Sequence, residues 1–147
     1  MPNCLLIDKA GIRTLIPHSD LMCLLDEVIQ WDQRSIVCIS NTHRDPANPL
    51  LRQGHLSAVH AFEYGAQAAA VHGGLRARAS GSIASPGYLA ALRDGRLHAE
   101  RLDQIHLPLQ ICATHLFGDG ANTVYEFILS AAAVLVAEGR VIIVERP

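Results

Sequence analysis

The spacing of apolar positions changes several times along the chain, and each change marks an element. Residues 21–31 form an apolar run in which Asp26 and Glu27 are the only charges. A polar turn, Asp32-Gln33-Arg34, separates it from residues 35–40, a run built around Ile36, Cys38 and Ile39. Two such runs joined by a short polar turn read as a hairpin entering a sheet. Ahead of them, residues 1–10 read as a lead-in, Pro17 imposes an extended approach, and Ser19-Asp20 punctuate it. Residues 41–54 are irregular, because Pro46 and Pro49 exclude a helix interior and Asp45, Asn48 and Gly54 are turn formers.

The next stretch, residues 57–75, is of another kind. Ala58, Ala61, Ala66, Ala68, Ala69 and Ala70 make it the best helix former in the chain. Ser57 offers an N-cap oxygen, and Gly73-Gly74 supply a stop. Small side chains all round let other backbone approach from every side, which describes a helix wrapped by a sheet. After it, residues 76–85 read as a polar loop. Residues 88–92 and Leu97 are strand material on either side of an Arg93-Asp94-Gly95-Arg96 turn. Ile105, Leu107, Leu109 and Ile111 then alternate with polar positions or proline, so that His106, like His115, falls in a strand. Gly118-Asp119-Gly120 turns the chain. Residues 123–129 and 134–137 are further strands, and Glu138-Gly139-Arg140 turns or bulges the last one before residues 141–144. Two strands, one long helix and several antiparallel strands predict an α+β fold, with one central helix wrapped by a curled antiparallel sheet.

Composition adds limits. The chain has 147 residues, half of them hydrophobic and 18% charged, which suits a single domain over residues 1–147. A net charge of −2 gives no electrostatic case for nucleic acid. No apolar run reaches membrane-span length, and Asp8-Lys9 interrupt the start before a signal-peptide core could form. Cys4, Cys23, Cys38 and Cys112 have no paired spacing and lie in apolar contexts, so they read as reduced residues of a cytoplasmic protein. The eight histidines follow no metal-ligand spacing, and neither a metal nor a cofactor is expected.

One acid stands out. Glu63 sits inside the apolar helix, with Gln67 one turn on and His60 one turn back. A carboxylate there is expected to be paired, raised in pKa, or both, unless that side of the helix simply faces water.

The order of motifs carries a resemblance. Pro17-His18, then residues 24–28 (Leu-Leu-Asp-Glu-Val), then Gln53-Gly54-His55, then residues 63–69 (Glu-Tyr-Gly-Ala-Gln-Ala-Ala) resemble the β-hydroxyacyl-acyl carrier protein dehydratases, which have the hotdog fold. Asn48-Pro49-Leu50, Glu63-Tyr64, Ala66-Gln67, residues 71–74 (Val-His-Gly-Gly) and Glu138-Gly139-Arg140 are similar to a divergent branch, the dehydratase-like proteins of aryl polyene clusters. The match covers residues 15–75 by motif and the remainder by strand pattern. It implies dehydration of a 3-hydroxyacyl thioester on an acyl carrier protein, in a homodimer or in a heterodimer with another hotdog chain. A hotdog thioesterase and a non-catalytic partner subunit are the alternatives.

Such chemistry needs a base for the α-proton, an acid for the leaving hydroxyl and donors for the thioester oxygen. Glu63 suits the acid, and the N-terminus of its helix is expected to offer free N–H groups. His43 and His55 are the leading candidates for the base, with another histidine, or none, as the remaining alternative. The Gly-His context favours His55, but the dehydratases follow it with Phe-Pro-Gly and a longer loop, where this chain has Leu56-Ser57-Ala58. His55 then stays near the helix start, about 10 Å along the axis from Glu63. Reach therefore favours His43, on the long loop after the second strand. Gln67, Asn48, His18 and His60 are candidates for substrate contact or for holding the dyad. Arg44, Arg52, Arg76 and Arg78 are candidates for the phosphopantetheine or the acidic carrier, or else are solvated surface charges.

Overall fold

The computed structural model describes residues 7–16, 22–82, 87–118 and 122–145. A short helix, α1 (Lys9–Arg13), precedes a hairpin of β1 (Glu27–Trp31) and β2 (Ser35–Ser40). The following loop contains a 3-10 turn (Thr42–Arg44), and a second 3-10 turn (Ala58–His60) runs straight into the long helix α2 (Ala61–Ala79). Then come β3 (Gly87–Leu97), β4 (Leu109–Phe117), β5 (Asn122–Ala131) and β6 (Val134–Glu145). All six strands form one antiparallel sheet in the order β1-β2-β4-β5-β6-β3. This is the α+β architecture that the pattern and the hotdog resemblance imply.

The core lies between α2 and the sheet. Strand residues alternate faces, so Ile36 and Cys38, then Leu109, Ile111 and Ala113, then Tyr125, Phe127 and Leu129 are all buried. Against them α2 buries Ala61, Tyr64, Ala66, Ala68, Ala69, Val71 and Leu75. Gly65 marks the closest approach, since a Cβ built there would lie 2.5 Å from Cγ of Phe127. The small residues of α2 are what let a sheet bend round it.

Four expectations are corrected. Gly73-Gly74 do not end the helix, which runs on to Ala79. Gly74 packs against Leu15, with 3.1 Å from its Cβ position to Leu15 Cδ2, and the stop falls to Ser80 and to Gly81 at φ +77°. Residues 93–96 do not turn the chain but bulge a continuous β3: Arg93 pairs with Arg140 and Arg96 with Glu138. The extra residue puts Asp94 at φ 53°. It also sets Gly95 under Phe62 of α2, 3.0 Å from the Cβ position, so the bulge makes room for the helix. Residues 105–108 alternate without forming a strand, so His106 lies in the irregular segment before β4. Pro108 has no N–H to give a ladder. Finally, the lead-in contains α1, and Ile7 bridges Val28 through two backbone bonds of 3.0 and 2.8 Å. The turn at Asp119-Gly120 lies outside the described residues, as do Cys4, Pro17, Ser19 and Asp20.

Candidate active site

Glu63 lies in the first turn of α2 and is half-buried. Its Oε1 accepts a hydrogen bond from Gln67 Nε2 at 3.3 Å. Gln67 is 1% exposed, and the segment before β1 fixes its amide. Gln67 Nε2 donates to the Met22 carbonyl at 2.7 Å, and its Oε1 accepts from the Leu24 N–H at 2.9 Å. A carbonyl can only accept and an N–H only donate, so the orientation of this amide has one solution. The segment is itself held from the other side. Lys9 Nζ donates to the carbonyls of Cys23 and Leu25, each at 2.7 Å, and pairs with Asp26 at 3.2 Å.

His43 occupies the Thr42–Arg44 turn and is fully buried. Its Nε2 donates to the Ile105 carbonyl at 2.9 Å, while Nδ1 is buried without a hydrogen-bond partner among the described residues. In the neutral ring the proton is therefore on Nε2 and the lone pair on Nδ1. Burial pushes its pKa below the ordinary value, the backbone around Ile105 and Leu107 pulls it back, Arg44 lowers it and Asp26 raises it. His55 is exposed, in a tight turn where it exchanges both backbone bonds with Arg52, at 2.9 and 3.0 Å. Gln53 and Gly54 between them have φ of 53° and 76°, which makes a primed turn. His60 is half-buried at the entrance to α2. Burial lowers its pKa first, Arg52 lowers it further, and Glu63 pulls the other way. The charge of Glu63 thus bears on His60, whereas the charges bearing on His43 are Arg44 and Asp26. His18 lies outside the described residues.

Asn48 is 7% exposed and ties its loop together: Nδ2 donates to the Thr42 carbonyl at 2.9 Å and Oδ1 accepts from Leu50 N–H at 2.9 Å. The arginines separate into two groups. Arg44 and Arg52 flank the loops near the start of α2, bonding the His106 carbonyl and the Pro49 and Leu51 carbonyls. Arg76 and Arg78 lie in its last turn, about 20 Å from Glu63 along the axis, so they do not share its surroundings.

The expected free N–H groups at the helix start are not there, which corrects the reading of that end. The N–H of Ala58 donates to the Glu100 carbonyl, that of Val59 to Ser57 Oγ and that of His60 to the Ser57 carbonyl. Ala61 closes the 3-10 turn onto Ala58 and Val59. A small ladder holds the arrangement: Leu102 N–H bonds the Leu56 carbonyl at 2.8 Å, and Asp103 Oδ1 accepts from Leu56 N–H at 2.8 Å. Arg101 clamps Asp103 at 2.5 Å and holds that carboxyl well below the usual range. Nothing in the local sequence around Arg101 and Asp103 marks this clamp.

His72 belongs to a separate buried cluster. Its Nε2 donates to the Asp32 carbonyl at 2.7 Å, so Nδ1 accepts from Tyr125 O–H at 2.6 Å. Burial pushes its pKa down to about 4. Among the described residues no cluster of three or more His, Cys, Asp or Glu could hold a metal ion. No helix among them is long and apolar enough to cross a membrane.

Comparisons with known proteins add the following. Residues 10–147 match the model of the ApeP-like family, described as ApeP dehydratase. A chain of the dehydratase heterocomplex ApeI:P from Xenorhabdus doucetiae is 27% identical, with a TM-score of 0.84 over 92% of this chain and 91% of that one. AziG of S. sahachiroi (16% identical, TM-score 0.63, 89% of this chain and 97% of that one) shares the fold. So does a putative thioesterase from Shewanella oneidensis (13%, 0.63, 95% and 94%). A search of curated proteins gave no match.

Proposed function

The chain belongs to the ApeP-like dehydratase family, and from that membership we propose that it serves the removal of water from a 3-hydroxyacyl thioester carried on an acyl carrier protein. The product is the trans-2-enoyl thioester. What supports this reading is the oriented carboxylate: Glu63, half-buried, with one oxygen anchored by a glutamine whose own amide is locked. Glu63 is the acid that gives its proton to the leaving hydroxyl. His43 is the base: burial favours its neutral form and its Nε2–H is held by Ile105, so the lone pair is on Nδ1, and the Thr42–Arg44 turn has to uncover that atom for it to take the α-proton. As the Cα–H and Cβ–O bonds break, the Cα=Cβ bond forms and water leaves. The histidine is then protonated and the glutamate ionised, and solvent returns the proton between them.

A second reading, that the chain completes its site with another hotdog chain, rests on a specific observation. In this single chain the first N–H groups of the helix are spent, so donors for the thioester oxygen have to come from elsewhere. Among the described residues β3 is the end strand of the sheet and has a free edge, with Leu92 and Leu97 about two-fifths exposed. Such an edge pairs naturally across a two-fold, with a second copy or with a homologue.

The test is an assay with 3-hydroxyacyl carrier substrate, using the chain alone and mixed with a partner of the ApeI kind, following enoyl absorbance and free thiol separately. Enoyl product in either mixture supports the dehydratase, and free thiol without enoyl would overturn it in favour of a thioesterase. Glu63→Gln should keep the fold and lose about 10²–10⁴-fold in turnover. Unchanged turnover would remove Glu63 from the chemistry.

A further inference from the structure

Tyr64 takes no part in the acid and base steps, yet it is fully buried with its hydroxyl on two polar side chains. It contacts Thr42 Oγ1 at 2.8 Å and Asn48 Nδ2 at 3.4 Å. The direction of each bond can be worked out. Thr42 Oγ1 lies 2.7 Å from the Leu24 carbonyl and 2.9 Å from Ser40 Oγ, which bonds the same carbonyl, so its proton has an acceptor on that side. Of the two groups on the Tyr64 hydroxyl the Asn48 amide nitrogen only donates, so Tyr64 donates to Thr42. The Asn48 amide is fixed by Leu50 N–H and the Thr42 carbonyl, so its Nδ2 faces the Tyr64 oxygen and donates to it. Burial pushes the phenol up to about 12, which keeps it a donor through the neutral range. On the other side of Leu24, its N–H donates to Gln67, and Gln67 donates to Glu63.

The bonds therefore line up in one sense, from Asn48 through Tyr64 and Thr42 to Leu24, and from Leu24 through Gln67 to Glu63. Thr42 begins the turn that carries His43, and Tyr64 follows Glu63 in the helix. We propose that Tyr64 is a positioning residue, which fixes the turn carrying His43 relative to Glu63 by way of this hydrogen-bond chain. The inference rests on the acid and base roles given above, and its test includes a readout independent of them.

The variants are Tyr64→Phe, which keeps the ring in its slot, and Gln67→Met, at the other end of the chain. Nitrogen NMR of His43 is recorded in both, beside single-turnover rates. Both variants are expected to shift the His43 ring resonances, although among the described residues Gln67 bonds Met22, Leu24 and Glu63 and not His43. Both should lower the rate at saturating substrate by about tenfold, with KM changed less than about twofold. Should Tyr64→Phe fail to fold, Thr42→Val and Thr42→Ser replace it: the first is expected to lose the rate, and the second, which retains the hydroxyl, to restore it. His43 resonances that stay in place in folded Tyr64→Phe and Gln67→Met overturn the proposal. If the unmodified protein forms no enoyl product even with a partner, the dehydratase reading fails, and the NMR shifts still decide for or against the chain.

Discussion

Two glycines of the same helix should respond with opposite sign to the same substitution. Gly65→Ala and Gly73→Ala each gain the helix preference of alanine over glycine, about 1 kcal/mol. At Gly73 a Cβ would meet nothing within 4 Å, so the gain is realised in full. At Gly65 it would lie 2.5 Å from Cγ of Phe127 and 2.7 Å from both Cδ atoms. The new methyl thus strikes the root of the ring, which is one bond from the side chain's attachment to β5 and cannot swing aside. Phe127 is fully buried and meets Phe62 edge-on at 5.9 Å between centroids, so the ring has no free direction. Overpacking of this kind costs about 1–3 kcal/mol. With the upper end appropriate to a rigid neighbour, the net loss at Gly65 is about 2 kcal/mol. For a chain of this length each kcal/mol moves Tm by about 2–4 °C. Thermal melts should therefore place Gly65→Ala about 4–8 °C below the parent and Gly73→Ala about 2–4 °C above it. A Gly65→Ala protein melting at or above the parent would refute the close packing of α2 on β5.

Acid should weaken the fold through His72. Its folded pKa is about 4 against an ordinary 6.5, so the unfolded chain takes the proton first as pH falls. Stability from this group is complete above about 6.5 and is lost as pH drops towards about 4, by about 3 kcal/mol in all. Urea midpoints at about pH 7.5 and about pH 4.5 should differ less in His72→Gln than in the parent, and an equal difference would exclude His72 as the source. The β5–β6 turn holds Ala132 and Ala133 at φ 48° and 67°, where a Cβ is unfavourable. Ala133→Gly should raise stability by about 1 kcal/mol, read as an increase in urea midpoint with unchanged slope.

The fold was legible wherever the signal was local. The alternation at Ile36–Cys38 and Tyr125–Leu129 reports the buried face of each strand, and the alanines of α2 report close approach, so the helix-and-sheet architecture follows from them. Two of the misreadings share one cause. Gly73-Gly74 and Arg93–Arg96 carry turn chemistry, but tertiary contact decided what they became. Leu15 packs against Gly74, and Phe62 over Gly95 needs a bulge rather than a hairpin. Within the site, Glu63 and Gln67 were visible because helical spacing brings them together. The Met22–Leu24 anchor of Gln67 and the Ile105 carbonyl on His43 were not, because they join positions 45 and 62 residues apart.

The end of α2 carries that lesson into function. Helix starts ordinarily leave N–H groups unpartnered, which is why this one was expected to meet a thioester oxygen. Instead a 3-10 turn and the segment from Glu100 to Asp103 consume the donors of residues 58–61, so the helix offers none before Phe62. Opening that end to recover them would break the Leu56–Leu102 and Leu56–Asp103 bonds together, with Arg101 clamped on the same carboxylate. Coupled contacts of this kind resist local opening more than isolated ones do. Donors brought by a second chain would leave the clamp intact. On these grounds the site is better served by completion across an interface than by rearrangement within one chain, and the mixture with an ApeI-type partner is the arm of the assay in which turnover should be higher.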